Sequence, residues 1–323
     1  YYEGDTEDVQ PVIKIRGCYR DFGMLETPIL GLLTRASRVA TNVYEVLKAA
    51  GGKQVLFFPA RFDLPEVQAV DGYAYWMAVQ RYNHETGSQI TPLVSTDAQG
   101  DWWGGHGGGT VPHALIACFL ADTVEAMVRF AEYVPADVPR IALVDFNNDA
   151  VGAAVATLRA YWPRYQAALL TGDAEERKRW TLYGVRLDTS SNMRDVSLSP
   201  GQGYGVSADL VRVVRQAVDN AWQDWNMFGD RAEAAQEFCR SVKIVVSGGF
   251  KREKIEQFEA DGVPVDVYGV GSSLLRNDSE TNTDFTMDVV RVQVDGRWVD
   301  MAKLGRKPND NPDLKPVDLS RYG

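Results

Sequence analysis

The stretch VKIVVSGGFKREKIEQFEADGVPVDVYGVGSS (residues 242–273) contains a complete strand–helix–strand pattern. Two valine-rich runs, 242–249 and 265–271, flank a charged segment over 251–261 in which apolar residues recur at helical spacing. Nearly continuous apolar runs of this length are typical of strands that are buried on both faces of a parallel sheet. The stretch therefore predicts a β–α–β unit with a Gly/Ser turn after each strand.

The same alternation of apolar runs and helical patterns recurs through the middle of the chain. Four further strand candidates precede the unit: QVLFF (54–58), ITPLVST (90–96), IALVDF (141–146) and LYGVRLD (182–188). An amphipathic helix is predicted over 207–225, with Ser207 as its N-cap. Repeated β–α units over roughly 200 residues predict an α/β fold, either a parallel-stranded barrel or a doubly wound sheet.

The two ends of the chain have a different pattern. VIKIRG (12–17) is a short strand candidate, and residues 24–50 are rich in Leu and Ala at helical spacing. Near the other end, Asp295 and Gly296 separate two alternating runs, which is a strong signal for an antiparallel hairpin. Because such a hairpin does not fit in a parallel barrel, we expect it to share a second, smaller sheet domain with the 12–17 strand.

The composition limits the classes of function. The 323 residues are 45% hydrophobic, which is enough for one or two domains with a large core. The net charge of −10 argues against nucleic acid or an anionic membrane as a partner, because both attract basic surfaces. Cys18, Cys118 and Cys239 lack metal-type spacing, and the acidic start YYEGDTEDVQ is no signal peptide. We therefore expect a cytoplasmic protein whose cysteines are packing residues.

Polar and small residues follow the predicted strands at the point where each strand ends. They are Asp145, Arg186, Asp188, Ser247, Gly248, Gly249, Gly269, Gly271 and Ser272. In parallel α/β folds the ligand lies at the carboxyl ends of the strands, so we expect the chemistry there. The two Gly/Ser turns match a phosphate site in which backbone N–H groups hold the anion. For Asp145, the alternative is an N-cap position on the next helix.

A second feature is GGHGGGTVPHALIA (104–117), which places five glycines directly before an apolar helix and His113. Glycine there costs folding entropy and supplies no packing. One interpretation is an anion bound at the helix N-terminus, where free N–H groups and the helix dipole favour negative charge. The other is a flexible surface loop.

Several motifs occur in the order and spacing found in nicotinate phosphoribosyltransferases, and the chain resembles that family over nearly its whole length. They are GCYRDFGMLETPILGLLTRAS, GTVPHALIA, LVDFNN, GVRLDTSS, VVSGGFKREKIEQFEADGVPVDVYGVGSSL, DFTMDVVRV and AKLGRK. The resemblance implies an incomplete TIM-like parallel barrel over 54–283 beside an α/β sandwich built from 1–53 and 284–323. It also implies phosphoribosyl transfer from phosphoribosyl pyrophosphate to nicotinate, coupled to ATP hydrolysis, in NAD biosynthesis.

The resemblance further implies roles for individual residues. The 5′-phosphate would be held at Ser247, Gly248, Gly249, Gly269, Gly271 and Ser272. Asp145 and Asp188 would serve the ribose hydroxyls, a Mg²⁺ ion and the positive charge that develops at the anomeric carbon. Arg186 would neutralise phosphate or carboxylate oxygens. Phe58 and Arg61 would lie beside the pyridine ring.

In the resembling enzymes, the histidine of the Gly-Thr-x-x-His stretch is phosphorylated by ATP. This implies a phosphoryl-acceptor role for His113, with Thr110 among the substrate-binding residues. Each position also has a local alternative: His113 could cap its helix, Arg61 could form a surface ion pair with Asp63, and Phe58 could be a core residue.

The chain departs from the family at two places. Phe62 stands where the family usually has a second arginine after Arg61, and STDAQGDWWGGHGGG (95–109) is unlike the usual loop. A carboxylate at Asp97 would repel nicotinate and favour an uncharged amide, so nicotinamide is an alternative substrate. Quinolinate is less favoured, because a dicarboxylate would require more Arg and Lys. A ligand-binding relative without turnover is the non-enzyme alternative.

Family members also carry an earlier segment with a tyrosine that stacks on the pyridine across a dimer interface. We therefore expect an N-terminal extension of roughly a hundred residues, the size of half a sandwich domain. We also expect a homodimer with shared active sites.

Overall fold

A computed structural model describes residues 10–108, 110–278, 283–318 and 320. The acidic start and Gly109 of the glycine stretch lie outside the described residues. The chain divides into two compact units, Tyr1–Arg35 with Thr283–Gly323, and Ala36–Asn282. The domain prediction placed the first boundary between residues 53 and 54, and its assignment of a sandwich domain stays a prediction.

The larger unit contains a six-stranded, wholly parallel sheet. Its strands are β1 (Gln54–Phe57), β2 (Leu93–Val94), β3 (Arg140–Leu143), β4 (Leu182–Leu187), β5 (Lys243–Val246) and β6 (Val267–Val270). Five of the six lie within the strands that the sequence predicts, and β3 begins at Arg140, one residue before the predicted range 141–146. Since every pair is parallel, the carboxyl ends of all six strands lie at one edge of the sheet.

The strand order β2-β1-β6-β5-β4-β3 makes the sheet an incomplete barrel. The chain runs round the sheet from β3 to β6, and β6 then pairs with β1, which pairs with β2. A ring would close if β2 paired with β3, but the sheet is open there. The connection between these two strands contains the glycine stretch. The expected α/β barrel is therefore confirmed, and the doubly wound alternative is wrong.

Helices of the larger unit cover the sheet and supply its core. Among the described residues, α1 (Tyr19–Phe22) lies in the smaller unit, and α2 (Glu26–Ala49) begins in the smaller unit and continues into the larger one. The other helices lie in the larger unit: α3 (Gln68–Thr86), α4 (His113–Cys118), α5 (Thr123–Tyr133), α6 (Ala150–Thr171), α7 (Ala174–Arg179), α8 (Ala208–Asn220), α9 (Asp230–Ser241) and α10 (Arg252–Ala260). The Ser207 hydroxyl accepts a hydrogen bond from the Leu210 amide at 3.2 Å, which confirms the predicted N-cap. The α-helix ends at Asn220 and a 3₁₀ turn continues to Trp225.

The charged side chain of Arg140 is buried in the larger unit. Arg140, at the start of β3, is only 1% exposed. Its guanidinium donates to the carbonyl oxygens of Val134 and Pro135, each at 2.7 Å, and to that of Ala131 at 3.3 Å. A cation at the carboxyl end of α5 is favourable because it satisfies carbonyl groups that the helix leaves unpaired.

The smaller unit contains the predicted hairpin, β7 (Arg291–Val294) and β8 (Arg297–Asp300), which pair antiparallel around Asp295 and Gly296. Both turn residues have left-handed φ angles, +47° and +78°, as the Asp-Gly signal requires. The strand predicted over 12–17 is wrong: these residues are assigned to no strand, and Ile13 and Ile15 are 47% and 41% exposed. An apolar run becomes a strand only where another strand satisfies its backbone groups.

The cysteine prediction is correct only in part. Cys239 is buried in α9, where burial raises the pKa of its thiol to about 12. Cys18 and Cys118 are exposed, so the expectation that all three are packing residues is wrong. None of the helices in the described part of the chain has the length and apolar character to cross a membrane.

Candidate active site

The predicted polar residues at the ends of β3, β4 and β5 meet in one cluster. Asp145 follows β3, Arg186 and Asp188 lie at the end of β4, and Ser247 follows β5 directly. Parallel pairing of β4 with both neighbours aligns these ends, with Arg186 opposite Leu143 on one side and Val245 on the other. The sheet register therefore brings together side chains that stand about a hundred residues apart in the sequence.

Arg186 is the buried cation of this cluster. Only 8% of the residue is exposed, and its Nη1 donates to the Ser247 hydroxyl at 3.2 Å and lies 3.5 Å from Oδ2 of Asp188. Its Nη2 donates to the Val111 carbonyl at 3.2 Å. Burial lowers the pKa of Arg186, while Asp188 and Asp145 oppose that shift. The two carboxylates therefore keep a cation in a site that would otherwise disfavour it.

Ser247 connects this arginine to Asp188. Its Oγ donates to Oδ1 of Asp188 at 2.8 Å while accepting from Arg186, and the residue is 3% exposed. The side chain therefore faces the carboxylate. Its hydroxyl orients Asp188, and its predicted place in the phosphate site stays a prediction. Asp188 keeps 25% of its side chain exposed, so one side of the carboxylate can reach a ligand.

His113 and Asp145 form the second pair. His113 is the first residue of α4, and its Nε2 lies 3.1 and 3.2 Å from the two carboxylate oxygens of Asp145. Burial raises the pKa of Asp145 and His113 opposes this, while Asp188 contributes repulsion. The residue that caps α6 is Asp149, so the N-cap alternative for Asp145 is wrong. His113 pairs with Asp145 and makes no side-chain cap at α4.

Two glycine turns lie beside the cluster. Gly248 and Gly249 have φ angles of +83° and +74°, which strongly favour glycine, and a Cβ on Gly248 would lie 3.2 Å from Oδ1 of Asp188. After β6, Gly271 is followed by a 3₁₀ turn that begins at Ser272. The two turns are joined, because the Ser273 hydroxyl donates to the Phe250 carbonyl at 3.1 Å. Such paired turns can present backbone N–H groups to an anion.

Two phenylalanine rings cover glycines of β6 and the turn that follows it. Phe58 lies against Gly269, where a Cβ would come within 3.0 Å of its ring carbons, and the Arg186 Cζ is 5.6 Å from its ring centre. Phe62 lies against Gly271 in the same way, since a Cβ on Gly271 would lie 2.7 Å from the Phe62 Cε2. The Arg61 Cζ is 5.0 Å from the centre of the Phe62 ring. The predicted base-binding residues therefore stand next to one of the glycine turns. Phe58 also contacts the small buried cluster inside the barrel, as the core alternative expects.

The glycine stretch after β2 is packed tightly upon itself. A Cβ on Gly100 would meet the Gly105 carbonyl at 1.9 Å, and one on Gly105 would meet the Trp103 ring at 2.2 Å. Asp97 is 80% exposed at its side chain and accepts a hydrogen bond from the Gly107 amide at 2.7 Å. Close packing therefore requires glycine at positions 100 and 105, whereas the choice between a bound anion and a flexible surface loop stays a prediction. The expected role of Asp97 at the substrate stays a prediction.

The metal prediction rests on two carboxylates. No group of three or more His, Cys, Asp or Glu side chains suited to a metal ion occurs in the described part of the chain.

The sequence did not predict that the Val111 carbonyl, two residues before His113, accepts a hydrogen bond from Arg186. Nothing in a local pattern signals that contact, because it joins segments 75 residues apart.

The fold and the cluster define a class: an incomplete parallel α/β barrel with charged residues and two glycine turns at the carboxyl ends of its strands. No protein-family model matches the chain. Human nicotinate phosphoribosyltransferase is 26% identical over 292 residues, which are 82% of this chain and 49% of that protein. A solved structure of nicotinate-nucleotide pyrophosphorylase from Pyrococcus furiosus is 30% identical with a TM-score of 0.60, covering 90% of this chain and 58% of that one.

The structure of human nicotinic acid phosphoribosyltransferase shares the fold, with a TM-score of 0.51 and 18% identity over 77% of this chain and 49% of that one. These likenesses confirm the resemblance to the nicotinate phosphoribosyltransferase family. The chain spans about half the length of the human relative and somewhat more of the Pyrococcus protein.

Proposed function

We propose that this chain transfers the phosphoribosyl group of phosphoribosyl pyrophosphate to nicotinate, giving nicotinate mononucleotide and pyrophosphate. The observation that carries the proposal is the cluster of Asp188, Ser247 and Arg186 directly beside the Gly248–Gly249 turn. A turn that can bind an anion would hold the phosphate of the substrate, and the carboxylate beside it would stabilise the substrate carbon that becomes cationic. The names of the human and Pyrococcus relatives support the same reaction class.

The reaction needs a site for the 5′-phosphate. The backbone N–H groups of the turns at Gly248–Gly249 and Gly271–Ser272 would hold it, since N–H groups in turns of this kind favour anions. Gly269 would contribute by absence of a side chain, because any Cβ there would displace Phe58.

The chemical step breaks the bond between the anomeric carbon and the pyrophosphate oxygen and forms a bond from that carbon to the pyridine nitrogen. The ribose becomes cationic as pyrophosphate leaves, and the Asp188 carboxylate would stabilise that charge from a fixed position. Its orientation is held by the Ser247 hydroxyl, so little reorganisation is needed during the reaction. Arg61 would bind the nicotinate carboxylate and Phe58 would lie at the pyridine ring.

Asp145 and Asp188 fit a magnesium site of the kind that uses one or two carboxylates together with substrate phosphates. When bound, Mg²⁺ would neutralise charge on the leaving pyrophosphate. Each carboxylate already has a protein hydrogen-bond partner, His113 or Ser247, which would orient it.

ATP coupling would depend on His113. In the tautomer whose Nε2–H would donate a hydrogen bond to Asp145, the lone pair lies on Nδ1. Nδ1 would then attack the γ-phosphorus of ATP while the bond from that phosphorus to the ADP oxygen breaks. Hydrolysis of the phosphohistidine by water would return the free imidazole. Thr110 lies three residues before His113 and would contact the same substrate, ATP.

We further propose that the chain forms a homodimer and works in the cytoplasm. Light scattering would test the homodimer.

The test is to incubate the purified chain with phosphoribosyl pyrophosphate, Mg²⁺ and each pyridine in turn, and to measure pyrophosphate release and mononucleotide by chromatography. Nicotinate should give both products in equal amounts, and ATP should raise the yield. Preference for nicotinamide would support the repulsion expected from Asp97. Ligand binding with no product for any pyridine would contradict the enzymatic proposal and favour the non-catalytic alternative.

A further inference from the structure

The stretch LVDFNN at the end of β3 closes with two asparagines, and the proposed chemistry uses neither of them. The Asn147 Nδ2 donates a hydrogen bond to the Ala121 carbonyl at 2.9 Å, in the turn that follows α4. The Asn148 Nδ2 donates to the Arg194 carbonyl at 2.8 Å, in the loop that follows β4. Two adjacent side chains therefore bind the backbones of two different loops, 26 and 46 positions away in the sequence.

Asn148 fixes the loop after β3 to the loop after β4. Its φ of +55° is left-handed, a conformation that asparagine adopts more readily than most residues with a side chain. In this conformation its amide donates to the Asp145 carbonyl at 2.9 Å, and its own carbonyl accepts from the Val196 amide at 3.0 Å. The main chain and the side chain of Asn148 both bind the 194–196 segment, so the loop that contains Asp145 is joined to the loop that contains Asp188.

The 194–196 segment is itself held in place by a buried carboxylate. Asp195 is only 1% exposed, and its Oδ2 accepts at 2.9 Å from the amide of Ala150, the first residue of α6. Its Oδ1 accepts from the Ser197 amide at 3.0 Å and from the Ser197 hydroxyl at 2.6 Å. A buried charge with three hydrogen bonds, at the positive end of a 22-residue helix, gives Asn148 a fixed partner.

The turn after α4, by contrast, needs support from outside. Leu120 and Ala121 have left-handed φ angles of +53° and +69°, which are unfavourable for residues that carry a Cβ. Leu120 is also 93% exposed, so burial of its side chain does not stabilise the turn. The helix α4 has only six residues, too few to be stable in isolation. The hydrogen bond from Asn147 to the Ala121 carbonyl therefore holds the end of α4.

We propose that Asn147 is a positioning residue for His113. The inference rests on the ATP coupling of the proposed function. His113 begins α4 and its Nε2 lies 3.1 Å from Oδ1 of Asp145, while the other end of α4 is tied through Ala121 to Asn147. Both attachments lead to the loop after β3, which Asn148 fixes to the loop after β4. Without the bond from Asn147, α4 would pivot about the His113–Asp145 contact, and the Nδ1 that attacks ATP would lose its direction.

The experiment measures phosphate incorporation from ATP labelled at the γ-phosphorus, kcat and KM for ATP hydrolysis, and pyrophosphate release without ATP. Asn147→Leu keeps the size of the side chain and removes its donor group. Its kcat for ATP hydrolysis should fall about tenfold, because a misdirected reacting group reacts more slowly. The KM for ATP should stay within about twofold of the parent value, because Asn147 orients the acceptor and binds no substrate. Uncoupled transfer should stay near the parent rate, since Asp188 and the two glycine turns are unchanged.

Asn83→Leu is the matched control. The Asn83 Nδ2 also donates to a backbone carbonyl at 2.9 Å, that of Ile90, which precedes β2 and so lies toward the opposite end of the sheet from the site. This variant loses a bond of the same kind and length, so it should lose stability in denaturant unfolding without losing ATP hydrolysis.

Hydrogen exchange of the peptide that contains residues 113–121 tests the position of α4 without ATP. Exchange should be faster in Asn147→Leu than in the parent and unchanged in Asn83→Leu. Parent-like exchange or parent-like ATP hydrolysis in Asn147→Leu would overturn the inference, as would an equal loss of uncoupled transfer. A parent chain that takes no phosphate from ATP would instead contradict the ATP coupling of the proposed function, and the exchange rates would still decide whether Asn147 holds α4.

Discussion

Replacement of Asp188 by Asn is the most direct test of the proposed chemistry, because it keeps the shape of the side chain and removes its charge. The amide oxygen can still accept the hydrogen bond that Ser247 donates to Oδ1 at 2.8 Å. What the variant loses is the negative charge, which lies 3.5 Å from the Arg186 Nη1 and which would face the ribose in the proposed reaction.

The size of the effect follows from these distances. Coulomb's law at 3.5 Å with an effective dielectric constant of ~20 gives an attraction of about 5 kcal/mol between the two charges. The net loss of stability will be smaller, about 1–3 kcal/mol, because the Asn amide still fills the site and part of the carboxylate is exposed. The loss of transition-state stabilisation should be about 3 kcal/mol or more, which is a fall in kcat of roughly a hundredfold.

The assay measures kcat from pyrophosphate release, binding of phosphoribosyl pyrophosphate by calorimetry, and stability by denaturant unfolding. Binding should weaken much less than turnover, since the turns that would hold the 5′-phosphate are unchanged. Asp230→Asn, in the exposed first turn of α9, removes the same charge elsewhere and should leave all three measurements near the parent values. A kcat within about threefold of the parent would refute the assignment of Asp188.

Four further substitutions test neighbouring parts of the site. His113→Ala should abolish ATP hydrolysis and acid-labile phosphate incorporation while leaving slow, uncoupled transfer; continued labelling from ATP would place the acceptor elsewhere. Gly248→Ala should lower stability by about 1–2 kcal/mol in denaturant unfolding and weaken substrate binding, because its φ is +83° and the new Cβ would lie 3.2 Å from Asp188. Gly249 has a φ of +74° but open space around it, so Gly249→Ala should lower stability by the same backbone strain without affecting Asp188. Equal losses of substrate binding in the Gly248 and Gly249 variants would argue that the contact with Asp188 does not matter for binding. Burial raises the pKa of Asp145, so the folded state binds the proton more tightly than the unfolded state does. The free energy of unfolding should therefore fall as the pH rises from the ordinary carboxyl pKa through the raised one. Asp145→Asn should remove this part of the pH dependence, and unfolding curves of the variant that keep it would contradict the burial argument.

Local pattern was sufficient for the strands and for most of the helix signals. Apolar runs predicted all six parallel strands, with β3 beginning one residue early, and Ser207 caps α8 through its own hydroxyl. The Asp295–Gly296 turn forms the hairpin because these residues accept left-handed backbone angles wherever they occur. Residues 12–17 form no strand, because an apolar run becomes a strand only where another strand pairs with it.

The amino-acid sequence by itself determined that polar residues follow each strand, and therefore that they gather at one edge of a parallel sheet. Only the tertiary structure decided which side chain faces which. The pairing of β1 with β6 brings Phe58 and Phe62 onto Gly269 and Gly271. The register of β4 with β5 sets the Ser247 hydroxyl between Arg186 and Asp188. These side-chain contacts join residues 59 to 211 positions apart. Their geometry is set by the packing of the whole barrel, which no local sequence propensity determines.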